Sequence, residues 1–425
     1  MTQVREPAGA RRAILARTLS GLAIAGATAG LLAAGAASAK VEGDTVILGS
    51  ANSLTGKYSS NGIDTQNGYD LAIKVINEMG GVTVGGKKYK LAVQYYDDES
   101  TPARTAQLLE RLIEQDGVKY ILGPYSSPTT IAAAPVVEKY KVPMVEAEGA
   151  SRALFNKGYK YTFAVLSTSE QYLASAIGLA AEVAEQNGKK PSDVRVAMVF
   201  ENDAFSLDVR AGVVEDMKKF GMQTVIDDKM PADLSDISAT LTKVKALKPD
   251  LLVVSGHNKG AVTAARQMKE LQVEVPMVAM THCEGAKVVQ QFGEAADGFL
   301  CPTQWAETLS YSDKYFGSAA EYDKLFKETY DGYTTVPYQA AQASAAVIVY
   351  KEAFEKANSF DTEAVRDALA ALEMETFYGP IKFSEAGNNI AKPMVLRQIQ
   401  GGEYNVVAPS KYASHKLQWP REAMY

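Results

Sequence analysis

The chain is short of the residues that most catalysts and nucleic-acid binders depend on. Its 425 residues include only two cysteines, Cys283 and Cys301, and only three histidines, His257, His282 and His415. Two cysteines make no disulfide scaffold, and sequence alone leaves open whether they pair. Three scattered histidines make no metal-ligating motif, so neither a metal nor a cofactor is expected. Basic charge is scarce too. The formal net charge is −6, with no run of Lys or Arg. A mildly acidic chain of this kind has no electrostatic footprint for nucleic acid. Nucleotide and hydrolase signatures are missing. After the first apolar run, Leu48 leads into Gly49-Ser50-Ala51-Asn52 instead of a G-x-G-x-x-G turn. The stretch from Gly256 to Gly260 lacks P-loop spacing, and no G-x-S-x-G elbow occurs. His282 and Cys283 are adjacent, which does not by itself make a base and nucleophile pair. These absences argue against an enzyme.

What is present begins with the N-terminus. Arg11-Arg12 precede an apolar run from Leu19 to Ala34, and Ala37-Ser38-Ala39 follows as a small-residue cleavage site. This pattern reads as a secretory signal cleaved near Ala39, by the twin-arginine or the general route. The run is too short and too rich in Ala and Gly for a membrane anchor, and no later segment could span a bilayer. The remainder is expected to be periplasmic. Loss of the leader removes four arginines and one glutamate, which takes the net charge from −6 to −9.

From residue 40 onward the chain is too long for one ordinary core. Short apolar runs such as Val46-Ile47-Leu48, Tyr120-Ile121-Leu122 and 251–255 alternate with helical patterns such as 65–79, 206–220 and 260–271. Residues 53–61 read as a loop before the first helix. Strands alternating with helices of this length predict an α/β protein with two doubly wound parallel-sheet domains, about 40–163 and 166–300. Beyond Trp305 the pattern turns to long helices, and two closing strands follow. Open parallel sheets bind ligands beyond the carboxyl ends of their strands. Two such sheets face to face would make a cleft.

The loops at those strand ends carry the candidate site. In Gly123-Pro124-Tyr125-Ser126-Ser127-Pro128, Ser127 reads as an N-cap and Pro128 as the first helical residue. Free N–H groups at that helix start, with the serine hydroxyl, suit a carboxylate. Gly149-Ala150-Ser151 follows the next strand and offers more donors. In the second block Phe205, His257 and Thr281-His282-Cys283-Glu284 follow successive strands. Trp305 and Tyr125 are candidates to cover a ring or an aliphatic chain.

In order and spacing these motifs resemble the branched-chain amino-acid type of periplasmic solute-binding protein. The resemblance rests on Leu54-Thr55-Gly56, Gly62, residues 68–77 with Gly80-Gly81, Asp97-Asp98, Ser126-Ser127, Gly149-Ala150-Ser151 and residues 293–298, and it covers nearly all of 44–400. It implies a class I periplasmic binding protein fold with three hinge crossovers, near 163–165, 302–304 and 378–380. It implies an N-terminal lobe of 40–163 plus 305–378, a C-terminal lobe of 164–304 plus 379–408, and a tail of 409–425. The implied role is capture of a small carboxylate, either a hydrophobic amino acid or an aromatic or short-chain acid, for the permease subunits of an ABC importer. A ligand sensor of the same fold is the alternative. The implied ligand residues are Asn61, Tyr125, Ser126, Ser127, Ala150, Ser151, Phe205, His257, Thr281, His282 and Trp305. A monomer is expected. In that family an acidic residue near 281–284 holds the ligand ammonium. Here Glu284 could serve, but Thr281 or His282 fits the spacing better, which leans toward an amine-free acid.

Overall fold

A computed structural model describes residues 39–421. The expected signal segment lies outside the described residues. The first sheet contains β1 (Val41–Glu42), β2 (Thr45–Asn52), β3 (Val82–Val84), β4 (Lys87–Asp97), β5 (Ile121–Leu122), β6 (Met144–Glu146) and β7 (Thr162–Ala164). Its order is β3-β4-β2-β5-β6-β7, with β1 paired to β2. β2 lies parallel to both β4 and β5, so strand order reverses beside it. The second sheet contains β8 (Arg195–Glu201), β9 (Gln223–Met230), β10 (Leu251–Ser255), β11 (Met277–Met280) and β12 (Phe299–Thr303). Two small hairpins follow, β13 (Ser312–Asp313) with β14 (Gly317–Ser318), and β15 (Glu373–Thr376) with β16 (Gly379–Lys382). β17 (Val395–Gln400) and β18 (Glu403–Ala408) then join the second sheet, whose order is β18-β17-β12-β11-β10-β8-β9. The switch point in this sheet lies at β8.

The helices are α1 (Ser59–Glu78), α2 (Pro102–Glu114), α3 (Ser127–Tyr140), α4 (Ala174–Gln186), α5 (Ala204–Phe220), α6 (Ser238–Leu247), α7 (Asn258–Glu270), α8 (Val288–Phe292), α9 (Ala319–Thr329), α10 (Tyr338–Ala357) and α11 (Thr362–Ala370). The chain passes between the sheets three times. It leaves the first after Ala164, leaves the second after Thr303 to place α10 against α1, and re-enters the second at Val395. Gly379-Pro380 lies in the β15–β16 hairpin, ahead of that last passage. None of the described helices is long and apolar enough to cross a membrane.

α10 is buried almost all round, through Ala340, Ala341, Ala343, Ala345, Val347 and Val349. A helix apolar on every side belongs inside a core. It lies close to α1 because Gly68 has no side chain. A Cβ there would come within 2.2 Å of the Ala340 carbonyl oxygen. α1 begins at Ser59, so Asn61 is helical and not in the expected loop. Gly62 is the local reason, since a Cβ at that position would meet the Ser53 carbonyl oxygen at 1.9 Å. The Asn52 amide also donates to the Gly62 carbonyl, at 2.8 Å. The two cysteines form a disulfide with Cα atoms 5.6 Å apart. It ties the loop after β11 to β12. At the other end of that sheet the tail packs down, the Arg421 amide donating to the Pro276 carbonyl at 2.9 Å.

Candidate functional site

The loops beyond β5, β8, β10 and β11 meet in one buried polar cluster with Tyr125 at its centre. Its hydroxyl lies 2.8 Å from Nδ1 of His257 and 3.1 Å from Nε2 of His282. One phenol therefore bonds two imidazoles of the opposite sheet. It has a single proton, so one ring accepts from it and the other donates to it. Burial drives the Tyr125 pKa well above the phenol range, and the hydroxyl stays protonated. Nε2 of His257 lies 2.7 Å from Oδ2 of Asp203. Burial raises the Asp203 pKa, but the charge and hydrogen bond of His257, with the N–H of Ser206, outweigh it and hold the carboxyl below its usual range. Asp203 is therefore ionised, and His257 Nε2–H donates to it. Burial lowers His282 to about 3, so its ring is neutral.

Aromatic rings pack this cluster. The ring of Tyr58 lies 4.6 Å from that of His257, and Phe205 lies 5.5 Å from His257 and 5.3 Å from His282. The two histidine rings are 5.2 Å apart. Tyr338, at the start of α10, places its ring 6.2 Å from His282. Further polar contacts cross between the sheets. The Asn258 amide donates to Ser60 Oγ at 3.1 Å. The Lys57 ammonium donates to the Ala232 carbonyl at 2.8 Å and lies 3.7 Å from Glu201. Arg152 Nε pairs with Asp208 at 2.7 Å.

The remaining expected residues divide into groups. Ser126, not Ser127, caps α3, with its hydroxyl facing the N–H of Thr129. Ser127 is the first helical residue, and its Oγ accepts from the Ser151 N–H at 3.1 Å. The Ala150 carbonyl accepts from the Ser169 N–H at 2.8 Å. Together these residues form a buried polar shelf beside Tyr125. The Thr281 hydroxyl donates to the Gly256 carbonyl at 2.8 Å and ties the two histidine loops together. Trp305 lies apart from the cluster. Its indole N–H donates to the Phe377 carbonyl at 3.2 Å, and its ring packs on Tyr322. It is fully buried among these residues.

Glu284 is committed elsewhere. It forms an ion pair at 3.1 Å with the fully buried Arg397, which also pairs with Glu307. Burial pushes its carboxyl up to about 7 against the pull of Arg397.

Sequence reasoning missed Tyr58, Asp203, Glu148 and Tyr338. Asp203 had a readable signal, as a capping residue directly after a strand; its side chain accepts from Ser206 N–H. Glu148 accepts from Thr65 at 2.9 Å and from Gln342 at 2.7 Å. The fold also makes a grouping around His257 that its position in the sequence does not show. Glu201, Asp203 and His257 bring one ligand-type atom each to within 4.8 Å of one another. These are the residues that could hold a cation, although His257 already bonds Asp203 and the Lys57 ammonium lies 3.7 Å from Glu201.

The chain is 24% identical over 404 residues to the Leu/Ile/Val-binding protein homolog 7 of Brucella abortus (strain 2308), covering 92% of this chain and 97% of the relative. Its fold matches that of the branched-chain amino acid transporter substrate binding protein LivJ from Streptococcus pneumoniae in complex with isoleucine. That match has a TM-score of 0.73 at 23% identity, over 86% of this chain and 100% of the other. It also matches the solute binding protein of an ABC transporter from Rhodopseudomonas palustris BisB5 in complex with 3,4-dihydroxy benzoic acid. Here the TM-score is 0.72 at 23% identity, over 85% and 95% of the two chains. A family model described as periplasmic binding protein matches residues 45–403. The chain belongs to the periplasmic binding protein family, whose members bind solutes outside the cytoplasm and are not enzymes.

Proposed function

We propose that this protein is exported, with its signal segment removed near Ala39, and captures a small amine-free carboxylate between two lobes for delivery to the permease of an ABC importer. The lobes are 40–163 plus 305–378 and 164–304 plus 379–408. The observation that carries the choice of ligand is the Glu284–Arg397 ion pair. A carboxylate already paired with a buried guanidinium is a poor partner for a ligand ammonium. An α-amino acid would then bury an uncompensated charge, at a cost of several kcal/mol. The ligand carboxylate is assigned to the Ser127, Ala150 and Ser151 shelf at the start of α3, where N–H donors and the helix dipole favour an anion. His257 and His282 lie opposite it on the second lobe. The similar proteins bound to isoleucine and to 3,4-dihydroxy benzoic acid bracket the candidates.

A thermal-shift screen of the mature chain tests this reading. It compares leucine, isoleucine, valine and phenylalanine with benzoate, hydroxycinnamates and short keto acids. A ligand that binds only the folded state raises the melting temperature by mass action. The expected outcome is a shift with amine-free acids alone. A shift with amino acids alone would overturn the ligand assignment and leave capture itself standing.

A further inference from the structure

α1 and α10 run parallel, and both begin at the cleft. Thr65 and Gln342 converge on Glu148, and further along Ser344 Oγ donates to the Gly68 carbonyl at 2.6 Å. Residue numbers rise together along the two helices, which fixes their relative direction. Asn61 stands four residues before Thr65, and Gln339 stands three before Gln342. Each therefore lies on the Glu148 side of its helix, one turn nearer the N-terminus. Both side chains are almost fully buried, at 1% exposure. Asn61 Nδ2 and both polar atoms of Gln339 lack a hydrogen-bond partner among the described residues. Buried amides are nearly always satisfied, and an unsatisfied group costs free energy. Two of them at the cleft end of one seam, beside Tyr338 and His282, mark a place that is complementary to something other than the protein.

The available chemistry narrows what that is. The site offers N–H donors and one carbonyl acceptor. Neither Asn61 nor Gln339 carries a charge that could balance a second anion. Both Glu148 oxygens are occupied by Thr65 and Gln342, so it is not a free ammonium partner. A neutral hydroxyl both accepts and donates, and fits this set. We infer that Asn61 and Gln339 form a hydroxyl-recognising subsite, so that the preferred ligand is a hydroxylated carboxylic acid. This inference rests on the carboxylate-capture reading above.

The test compares matched probes by calorimetry on the full mature chain: benzoate with 3- and 4-hydroxybenzoate, and 4-methylpentanoate with 2-hydroxy-4-methylpentanoate. Wild-type protein should prefer a hydroxylated member by about tenfold or more. Gln339→Leu should abolish that preference while changing affinity for the unsubstituted acid less than about threefold, and Asn61→Leu should abolish the preference as well. The ligand-free variants should melt at the wild-type temperature or above, because each loses an unsatisfied buried amide. A lower melting temperature would mean that these amides hold the fold, and would overturn the subsite. Equal weakening of both members of a pair would overturn it as well. Unsubstituted acids binding as well as hydroxylated ones defeats the subsite alone. Failure of every carboxylate to bind wild type defeats the capture reading, and the subsite with it.

Discussion

Removing the Tyr125 hydroxyl takes away both hydrogen bonds that join it to His257 and His282. Tyr125→Phe keeps the ring and its packing on Tyr58. Each neutral hydrogen bond is worth about 1 kcal/mol net. The variant should therefore shift the balance toward the open form and weaken ligand binding by about five- to thirtyfold. Small-angle scattering should show a larger mean radius for the ligand-free variant than for wild type; identical radii would show that Tyr125 does not govern closure. Glu284 allows the opposite kind of test. Glu284→Gln leaves the buried Arg397 guanidinium with Glu307 alone. Breaking a buried pair costs about 3 kcal/mol or more. The loss should appear in denaturant midpoints without ligand, and the affinity of the folded variant for its acid should stay near wild type. A selective loss of binding at full stability would place Glu284 in the ligand site instead.

At the level of elements, α1 and α10 approach each other closely at Gly68. Gly68→Ala gains about 1 kcal/mol of helix propensity. It also forces a Cβ against the Ala340 carbonyl and within 2.8 Å of the Ala343 Cβ. A backbone carbonyl cannot swing aside as a flexible side chain can. Overpacking of about 1–3 kcal/mol should outweigh the gain, and the urea midpoint should fall with an unchanged slope. The same pair of helices shows how far the sequence could be read. The β-strands were legible because β2, β5, β8 and β10 are apolar runs closed by turn residues, and the helices between them show apolar periodicity. The start of α1 was not. Asn61, Gly62, Asp64 and Thr65 are buried polar or small residues, and hydrophobic periodicity takes no account of them. His257 and His282 stood out as rare residues at strand ends. Glu148 and Gln339 did not, because only the folded topology brings them to the cleft. Trp305 was ambiguous for a related reason: a large aromatic beside a hinge looks the same in sequence whether it faces a ligand or fills the core.

Across the whole molecule, the buried acids set the response to pH. Burial raises Asp64 and Glu146 to about 7 and takes Glu148 well above the usual carboxyl range, while Glu284 is held in its ion pair with Arg397. Unfolded carboxyls titrate near 4. Between those limits the native state holds more protons than the unfolded one, so this contribution is complete below about 4 and is lost as pH rises through about 7. His282 acts in the other direction. Its folded pKa of about 3 lies below the unfolded value of 6.5, so its contribution is complete above 6.5 and is lost as pH falls toward 3. Lys392, lowered to about 7 by burial, changes stability only above neutrality. Three acids therefore oppose one histidine between pH 5 and 7. Melting temperature should fall as pH rises across that window. Glu146→Gln isolates one share of the slope, since a glutamine oxygen can still accept from the Glu148 and Gly149 N–H groups that now bond Glu146. Its melting temperature should depend less steeply on pH than that of wild type. An unchanged slope would mean that Glu146 is ionised in the native protein and that the burial argument for it fails.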